Sequence, residues 1–244
     1  MKCLILAAGY ATRLYPLTEN FPKPLLKVGE RAILDWLVDD IAAFSCPACD
    51  EFVVVSNHKF AGHFEEWAAS RAEKISVVDD GTSSNETRLG AVRDIQFAVE
   101  KLQLDDDLLV IAGDNLLDFS LTEFIKYALD KGTSCLMRFY EASEKVLRKS
   151  GILEIGEGDR VLSMEEKPAE PKSNWCCPPF YFYLRDDVRK VAEAIGGGCN
   201  ADAPGSFAAW LSARKPVYAM EMPGSRYDIG DLESYRRVCE QFSE

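Results

Sequence analysis

Met1-Lys2-Cys3-Leu4-Ile5-Leu6-Ala7-Ala8-Gly9-Tyr10-Ala11-Thr12-Arg13-Leu14, with Phe21-Pro22-Lys23-Pro24-Leu25-Leu26 following, decides how this chain is read. An apolar run with strand character, Cys3 to Leu6, breaks into small residues and then a basic one. Small residues after a buried strand let backbone N–H groups approach an anion, and a nearby guanidinium adds bidentate phosphate pairing. Prolines on both sides of Lys23 restrict its loop, so the ammonium is presented in one place. The stretch reads as a grip for a polyphosphate. The plain alternative is an ordinary strand and loop with a stray Arg and Lys.

Neither common glycine-rich fingerprint is present: there is no G-x-x-x-x-G-K-[ST] and no G-x-G-x-x-G. The stretch resembles the signature of the sugar nucleotidylyltransferases, roughly L-x-x-G-x-G-T-R-L, a spacer, then P-K. Gly9, Thr12, Arg13, Leu14, Pro22 and Lys23 match it, whereas Ala11 stands where that family usually has a second glycine. A positive φ there would cost alanine on the order of 1 kcal/mol, so the expectation is a loop that tolerates a Cβ.

A chain of 244 residues can bury a sizeable core. Its net charge of −12 argues against a nucleic-acid surface, which needs a basic footprint. No apolar run approaches a membrane span, and residues 1–8 lack the regions of a secretory signal, which points to the cytoplasm. Cys46-Pro47-Ala48-Cys49 has C-x-x-C spacing, but a zinc site needs two further ligands and only His58 and His63 exist as histidines. Reduced, partly buried thiols are the expectation, and a role for Cys46 and Cys49 is left open.

Past the grip, short apolar runs alternate with amphipathic segments. Helices are expected over 33–44 and 60–71, and strands over 51–56, 75–78 and 108–111. The pattern implies an α/β fold with a mostly parallel central sheet and helices on both faces; the resemblance implies that this sheet is Rossmann-like and mixed, with a smaller β-rich acceptor-binding part. The expected organisation is one domain over 1–244, with a nucleotide-binding half of about 1–118 and an acceptor-binding half of about 119–244. No hexapeptide repeat of the kind that builds an appended β-helix occurs.

Asp79 to Thr87 is polar and turn-rich, and reads as a surface loop with Asn85 or Thr87 capping the next helix. The resemblance extends to Leu89-Gly90, which implies a backbone contact from Gly90 to the nucleobase; Arg93 and Asp94 depart from the family pattern, so the base is left open. Leu108 to Ile111 leads into Ala112-Gly113-Asp114-Asn115. An acid just past the carboxyl end of an apolar strand is where open α/β sheets hold ligands, and Mg²⁺ needs only one or two carboxylates beside phosphate oxygens.

The later chain offers Gly151 opening a strand, Glu165-Glu166-Lys167-Pro168, Pro171-Lys172-Ser173-Asn174, and the strand-like Phe180 to Leu184. These resemble the thymidylyl- and uridylyltransferase branch. That similarity implies sugar contacts from Gly151 and Glu166, with Lys167 on the acceptor phosphate. Cys176-Cys177-Pro178-Pro179 departs from the pattern, so the acceptor is left open. Arg226-Tyr227-Asp228-Ile229-Gly230-Asp231 resembles the segment that supplies the second metal carboxylate, here Asp228; Asp231 to Ser234 also reads as the start of a terminal helix.

The resemblance thus implies an enzyme that moves NMP from an NTP to a sugar-1-phosphate with Mg²⁺. Arg13, Lys23 and Asp114 are the expected catalytic residues. Leu6, Ala7, Ala8, Gly9, Arg13, Gly90 and Asp114 are the expected nucleotide contacts; Gly151, Glu166 and Lys167 hold the acceptor, and Asp114 with Asp228 hold the metal. The expected partners are an NTP and a phosphorylated small molecule, with no nucleic acid and no membrane; oligomeric state is left open. Two other readings stay open. One is a cytidylyltransferase acting on phosphocholine or a similar phospho-alcohol, caged by Trp175, Tyr181 and Tyr183. The other is a non-catalytic nucleotide sensor or scaffold.

Overall fold

The computed structural model describes residues 1–45 and 48–242, and the chain forms two compact units. The first comprises residues 1–88, 112–122 and 224–244. Its centre is the strand Glu51–Ser56, paired in parallel with Lys2–Leu6 on one side and Ile75–Asp79 on the other. All six residues of the central strand are buried. That is why Phe52-Val53-Val54-Val55 is a continuous apolar run rather than an alternating one. Each of those side chains contributes roughly 1.5–3 kcal/mol by leaving water.

Helices alternate with these strands, at Ile33–Ala42 and Ala61–Ala69. In the first, Ile33, Leu34, Leu37, Val38 and Ile41 are buried, the expected stripe. Asn115–Leu117 pairs antiparallel with Arg226–Asp228, and the helix Leu232–Gln241 closes the unit. Asp231 caps that helix: its carboxylate accepts from the Ser234 N–H at 2.8 Å, and the Ser234 hydroxyl accepts from the Asp231 N–H at 3.0 Å.

The second unit comprises residues 89–111 and 123–223. Its strands run in the order Val161–Glu166, Gly151–Ile155, Trp175–Cys177, Cys135–Tyr140, Phe180–Tyr183 and Leu108–Ala112, each antiparallel to its neighbour. Tyr218–Glu221 adds a parallel partner to Cys135–Tyr140. Trp175–Cys177 and Phe180–Tyr183 lie end to end along that same strand, Cys176 opposite Phe139 and Tyr181 opposite Leu136. Pro178 and Pro179 form the joint between them. A segment without backbone N–H donors can interrupt a ladder there with no donor left unsatisfied.

The parallel pairing that the alternating pattern predicts therefore sits in the first unit, and the β-rich antiparallel part in the second. The helix expected to start near Asn85 or Thr87 begins later, at Ala91–Leu102, with Gly90 as its cap at φ 94°. Thr87 instead closes a local turn on Ser84. No described helix is long and apolar enough to cross a membrane.

Glu51 opens the central strand and is buried. Burial alone would raise its pKa, but hydrogen bonds from Lys2, Ser76 and Lys74 outweigh that and hold it at about 2. A depressed carboxyl stabilises the fold above its unfolded pKa and loses that contribution as pH falls. Urea denaturation should therefore find Glu51→Gln less stable than the parent at pH 7, with the gap closing as pH falls from about 4.5 towards about 2. An unchanged gap across that window would contradict this account.

Candidate active site

In the first unit, the loop after the strand Lys2–Leu6 borders a cavity of about 190 Å³. Leu6, Ala7, Gly9, Arg13, Lys23 and Asp114 all line it, so six expected site residues border one cavity. Ala8 lies between them, its carbonyl accepting from the buried Asn57 amide at 3.0 Å. A Cβ added to Gly9 would meet nothing within 4 Å, so the glycine leaves open space on the loop.

Ala11 does not behave as expected. It adopts φ 46° and ψ 42°, the left-handed conformation, with its Cβ in place. That costs on the order of 1 kcal/mol, offset by what its carbonyl gains. The carbonyl accepts from the Leu14 N–H at 2.9 Å and the Thr18 hydroxyl at 2.8 Å. The fixed turn is what carries Thr12–Leu14 back towards Gly230, where an added Cβ would lie 3.8 Å from the Arg13 guanidinium. Beside it, the Asp231 carboxyl is held below its usual range by the Ser234 hydrogen bonds, with Arg13 adding to the pull.

The polar turn after Ile75–Asp79 is not a plain surface loop. Asp80 and Thr82 are buried, and the Tyr10 hydroxyl donates to the Thr82 carbonyl at 3.1 Å. Burial raises the Asp80 carboxyl above its usual range.

Lys23 is only 7% exposed, although it carries a full charge. Its Nζ donates to Asp114 Oδ2 at 2.7 Å and stands 3.9 Å from Asp228 Oδ1. The two carboxylates meet because Asp228 pairs with Asn115 in the two-strand ladder, which puts the acids on adjacent segments. Gly113 permits the approach: a Cβ there would lie 2.8 Å from the Ile5 side chain. Sequence reasoning missed Asn115, which orients the acid. Its amide nitrogen donates to Asp114 Oδ1 at 3.0 Å, and its oxygen accepts from Arg226 at 2.7 Å. The only hint of this was its place directly after Gly113-Asp114.

The remaining expected residues lie in the second unit. Gly90 has a clear structural duty: a Cβ would lie 2.6 Å from the Ala201 carbonyl oxygen, and Ala91 and Val92 donate to Asp202 and Ala201 carbonyls. Gly151 and Glu166 sit opposite each other across two paired strands. Burial raises the Glu166 carboxyl, with Lys167 pulling weakly the other way. Lys167 is exposed at φ 49°, its N–H donating to the Ser150 carbonyl at 3.0 Å.

The three rings considered for a cage have other partners. Trp175 takes the Arg138 guanidinium at 4.8 Å and the Tyr140 edge, while Tyr181 and Tyr183 stack on each other and are buried. Cys46 lies outside the described residues. Cys49 donates to the Glu51 carbonyl, and burial pushes its thiol up to about 11, so it stays protonated near neutral pH. The described cysteines are thiols, and no group of three or more metal-ligating side chains occurs among the described residues.

The family model described as "Nucleotidyl transferase" matches residues 2–244. A Sulfolobus acidocaldarius protein named "Putative mannose-1-phosphate guanyltransferase" is 26% identical over 191 residues, covering 78% of this chain and 50% of its own. The UTP--glucose-1-phosphate uridylyltransferase of Synechocystis sp. is 24% identical over 246 positions, covering 96% of this chain and 61% of its own. The chain thus spans between half and about three-fifths of the length of these relatives. Among solved structures, a UDP-glucose pyrophosphorylase complexed with UDP-glucose superposes with a TM-score of 0.81 at 20% identity, covering 99% of this chain and 97% of that one. That likeness speaks for the fold.

Asn115→Ala should lower unfolding free energy by about 2 kcal/mol, because the buried amide's guanidinium and carboxylate hydrogen bonds are lost together. Urea melts with an unchanged slope would check it; a loss below about 0.5 kcal/mol would mean that Asn115 orients nothing.

Proposed function

We propose that this chain, which belongs to the nucleotidyl transferase family, transfers a nucleoside monophosphate from a nucleoside triphosphate to a sugar-1-phosphate, releasing pyrophosphate. The observation that carries the reading is the convergence of Asp114 and Asp228 on the Lys23 ammonium, within 2.7 and 3.9 Å, beside the Gly9–Arg13 loop. Three segments remote in sequence spend two acids and a nearly buried cation at one place. The named relatives act on sugar phosphates or carry such names, which supports the acceptor class.

The residues fit a divalent cation. Two carboxylates that converge on a position already favouring positive charge, next to a cavity of about 190 Å³, would suit Mg²⁺, which needs only one or two carboxylates beside phosphate oxygens and water. Asp114 and Asp228 would hold it. When bound, Mg²⁺ polarises the α-phosphate and offsets the charge on departing pyrophosphate. Arg13 holds β- and γ-phosphate oxygens through its two-pronged donor face. Lys23 exchanges a carboxylate partner for the reacting phosphates. The backbone of Leu6 to Gly9 approaches the nucleotide closely, since nothing projects from Gly9.

On the acceptor side, Glu166 accepts hydrogen bonds from sugar hydroxyls and Lys167 neutralises the sugar phosphate. The acceptor phosphate oxygen attacks the α-phosphorus in line, and the P–O bond to pyrophosphate breaks. The attacking group is already ionised at neutral pH, so no general base is required, and positioning with charge neutralisation carries the rate. We place the reaction in the cytoplasm, where nucleoside triphosphates and reduced thiols coexist.

A panel of ATP, CTP, GTP, TTP and UTP against glucose-, mannose- and galactose-1-phosphate and phosphocholine, read by pyrophosphate release, tests the reading. A sugar-1-phosphate should be the preferred acceptor. Preference for phosphocholine, or nucleotide binding with no turnover, would overturn it. Lys23→Ala and Asp114→Asn should each lower turnover at least about 100-fold. Near-parental rates in either purified variant would remove these residues from the chemistry. Gly9→Ala should melt with the parent, because its added methyl meets nothing, yet bind the preferred triphosphate about tenfold more weakly, the size of one lost close approach. Equal affinity would place the nucleotide elsewhere.

A further inference from the structure

Glu166 is flanked by two glycines from different elements, and neither glycine is required by its own backbone. Gly151 opens the strand Gly151–Ile155, and Gly205 is the first residue of the helix Gly205–Ser212. Neither has a positive φ. A Cβ on Gly205 would lie 1.8 Å from Glu166 Oε1 and 2.6 Å from the Met164 methyl. A Cβ on Gly151 would lie 3.0 Å from the same oxygen and 3.0 Å from the same methyl. The backbone at the first position of a helix accepts alanine, so local conformation does not require Gly205. What it permits is a carboxylate packed directly on its Cα.

The surroundings are polar as well as tight. Ser206 follows Gly205 and is buried, and its hydroxyl has no hydrogen-bond partner among the described residues. Tyr183 packs on Phe207 of the same helix with ring centroids 4.9 Å apart, and its buried hydroxyl likewise has no partner among the described residues. Glu166 is half-buried, and that burial raises its carboxyl above the usual range.

We propose that Gly205 is a positioning residue: the absence of its side chain fixes the Glu166 carboxylate in the orientation that receives the acceptor's hydroxyl groups. This rests on the acceptor role assigned to Glu166 above. It adds that the helix Gly205–Ser212 forms a wall of the acceptor subsite and that its first residue sets acceptor affinity without touching the acceptor.

The test is a double-mutant cycle on the full chain, using the triphosphate and sugar-1-phosphate pair turned over fastest in the panel. Gly205→Ala should raise KM for the sugar-1-phosphate at least about tenfold and leave KM for the triphosphate within about twofold. In a Glu166→Ala background the same change should add less than about twofold, because its target is gone. If Glu166→Ala itself leaves the acceptor KM unchanged, the acceptor role of Glu166 fails. If Glu166→Ala matters but Gly205→Ala multiplies it independently, the positioning role fails alone.

A readout that needs no substrate accompanies it: the ¹³Cδ titration of Glu166 by NMR. Gly205→Ala should move its midpoint down towards an ordinary glutamate as the carboxyl is pushed into water, and an unmoved midpoint would contradict the proposal. Should Gly205→Ala fail to fold, Gly205→Ala combined with Glu166→Ala should fold and melt like Glu166→Ala. A double variant that also fails to fold would show that Gly205 serves packing unrelated to the carboxylate.

Discussion

A nearly buried ammonium held between two carboxylates is the constraint on which the first unit is organised. Lys23 stands at 2.7 Å from Asp114 and 3.9 Å from Asp228 while only 7% exposed. A charge so far from water is tolerated only with partners in place, and removing one partner of such a set is strongly unfavourable. Each surrounding feature serves that arrangement. Pro22 and Pro24 set the turn that delivers Lys23. Gly113 lets the chain turn against Ile5, and the Asn115–Asp228 pairing brings the second acid alongside.

Asn115 and Arg226 extend the network by one layer. Asp114 receives Lys23 on one oxygen and the Asn115 amide on the other, and Asn115 is itself fixed by Arg226. An acid with both oxygens assigned has one orientation. That is the kind of preorganisation which phosphoryl-group chemistry requires, because it relies on placing charge rather than on forming bonds to the protein. The left-handed turn at Ala11 is the backbone counterpart: strain of about 1 kcal/mol is retained where the loop must present Arg13.

What could be read from sequence follows from which interactions are local. The strand Glu51–Ser56 was legible to the residue because burial on both faces leaves a continuous apolar run, and the helix stripe from Ile33 to Ile41 because its period is 3.6. Lys23, Asp114 and Asp228 were legible as candidates, and the two acids as a pair, through family resemblance; the ladder that joins their segments, more than a hundred residues apart, was not. The conformation of Ala11 was misjudged because the compensating hydrogen bond from Thr18 lies outside the motif. The start of the helix Ala91–Leu102 was misplaced because its first N–H donors go to the carbonyls of Ala201 and Asp202, remote in sequence, and not to a local cap. Gly205 carried no signal at all: its φ is ordinary, and the Glu166 carboxylate and Met164 methyl beside it are remote in sequence.

The central claim is that Asp114 and Asp228 share one divalent cation with a bound triphosphate. A crystal grown with Mn²⁺ in place of Mg²⁺ and a non-hydrolysable triphosphate, with data collected at the manganese absorption edge, measures it directly. The account predicts one strong anomalous peak between the two carboxylates and in contact with phosphate oxygens, with the Lys23 ammonium turned from Asp114 to the triphosphate. Manganese and triphosphate bound away from these acids, with Lys23 still paired to Asp114, would contradict it.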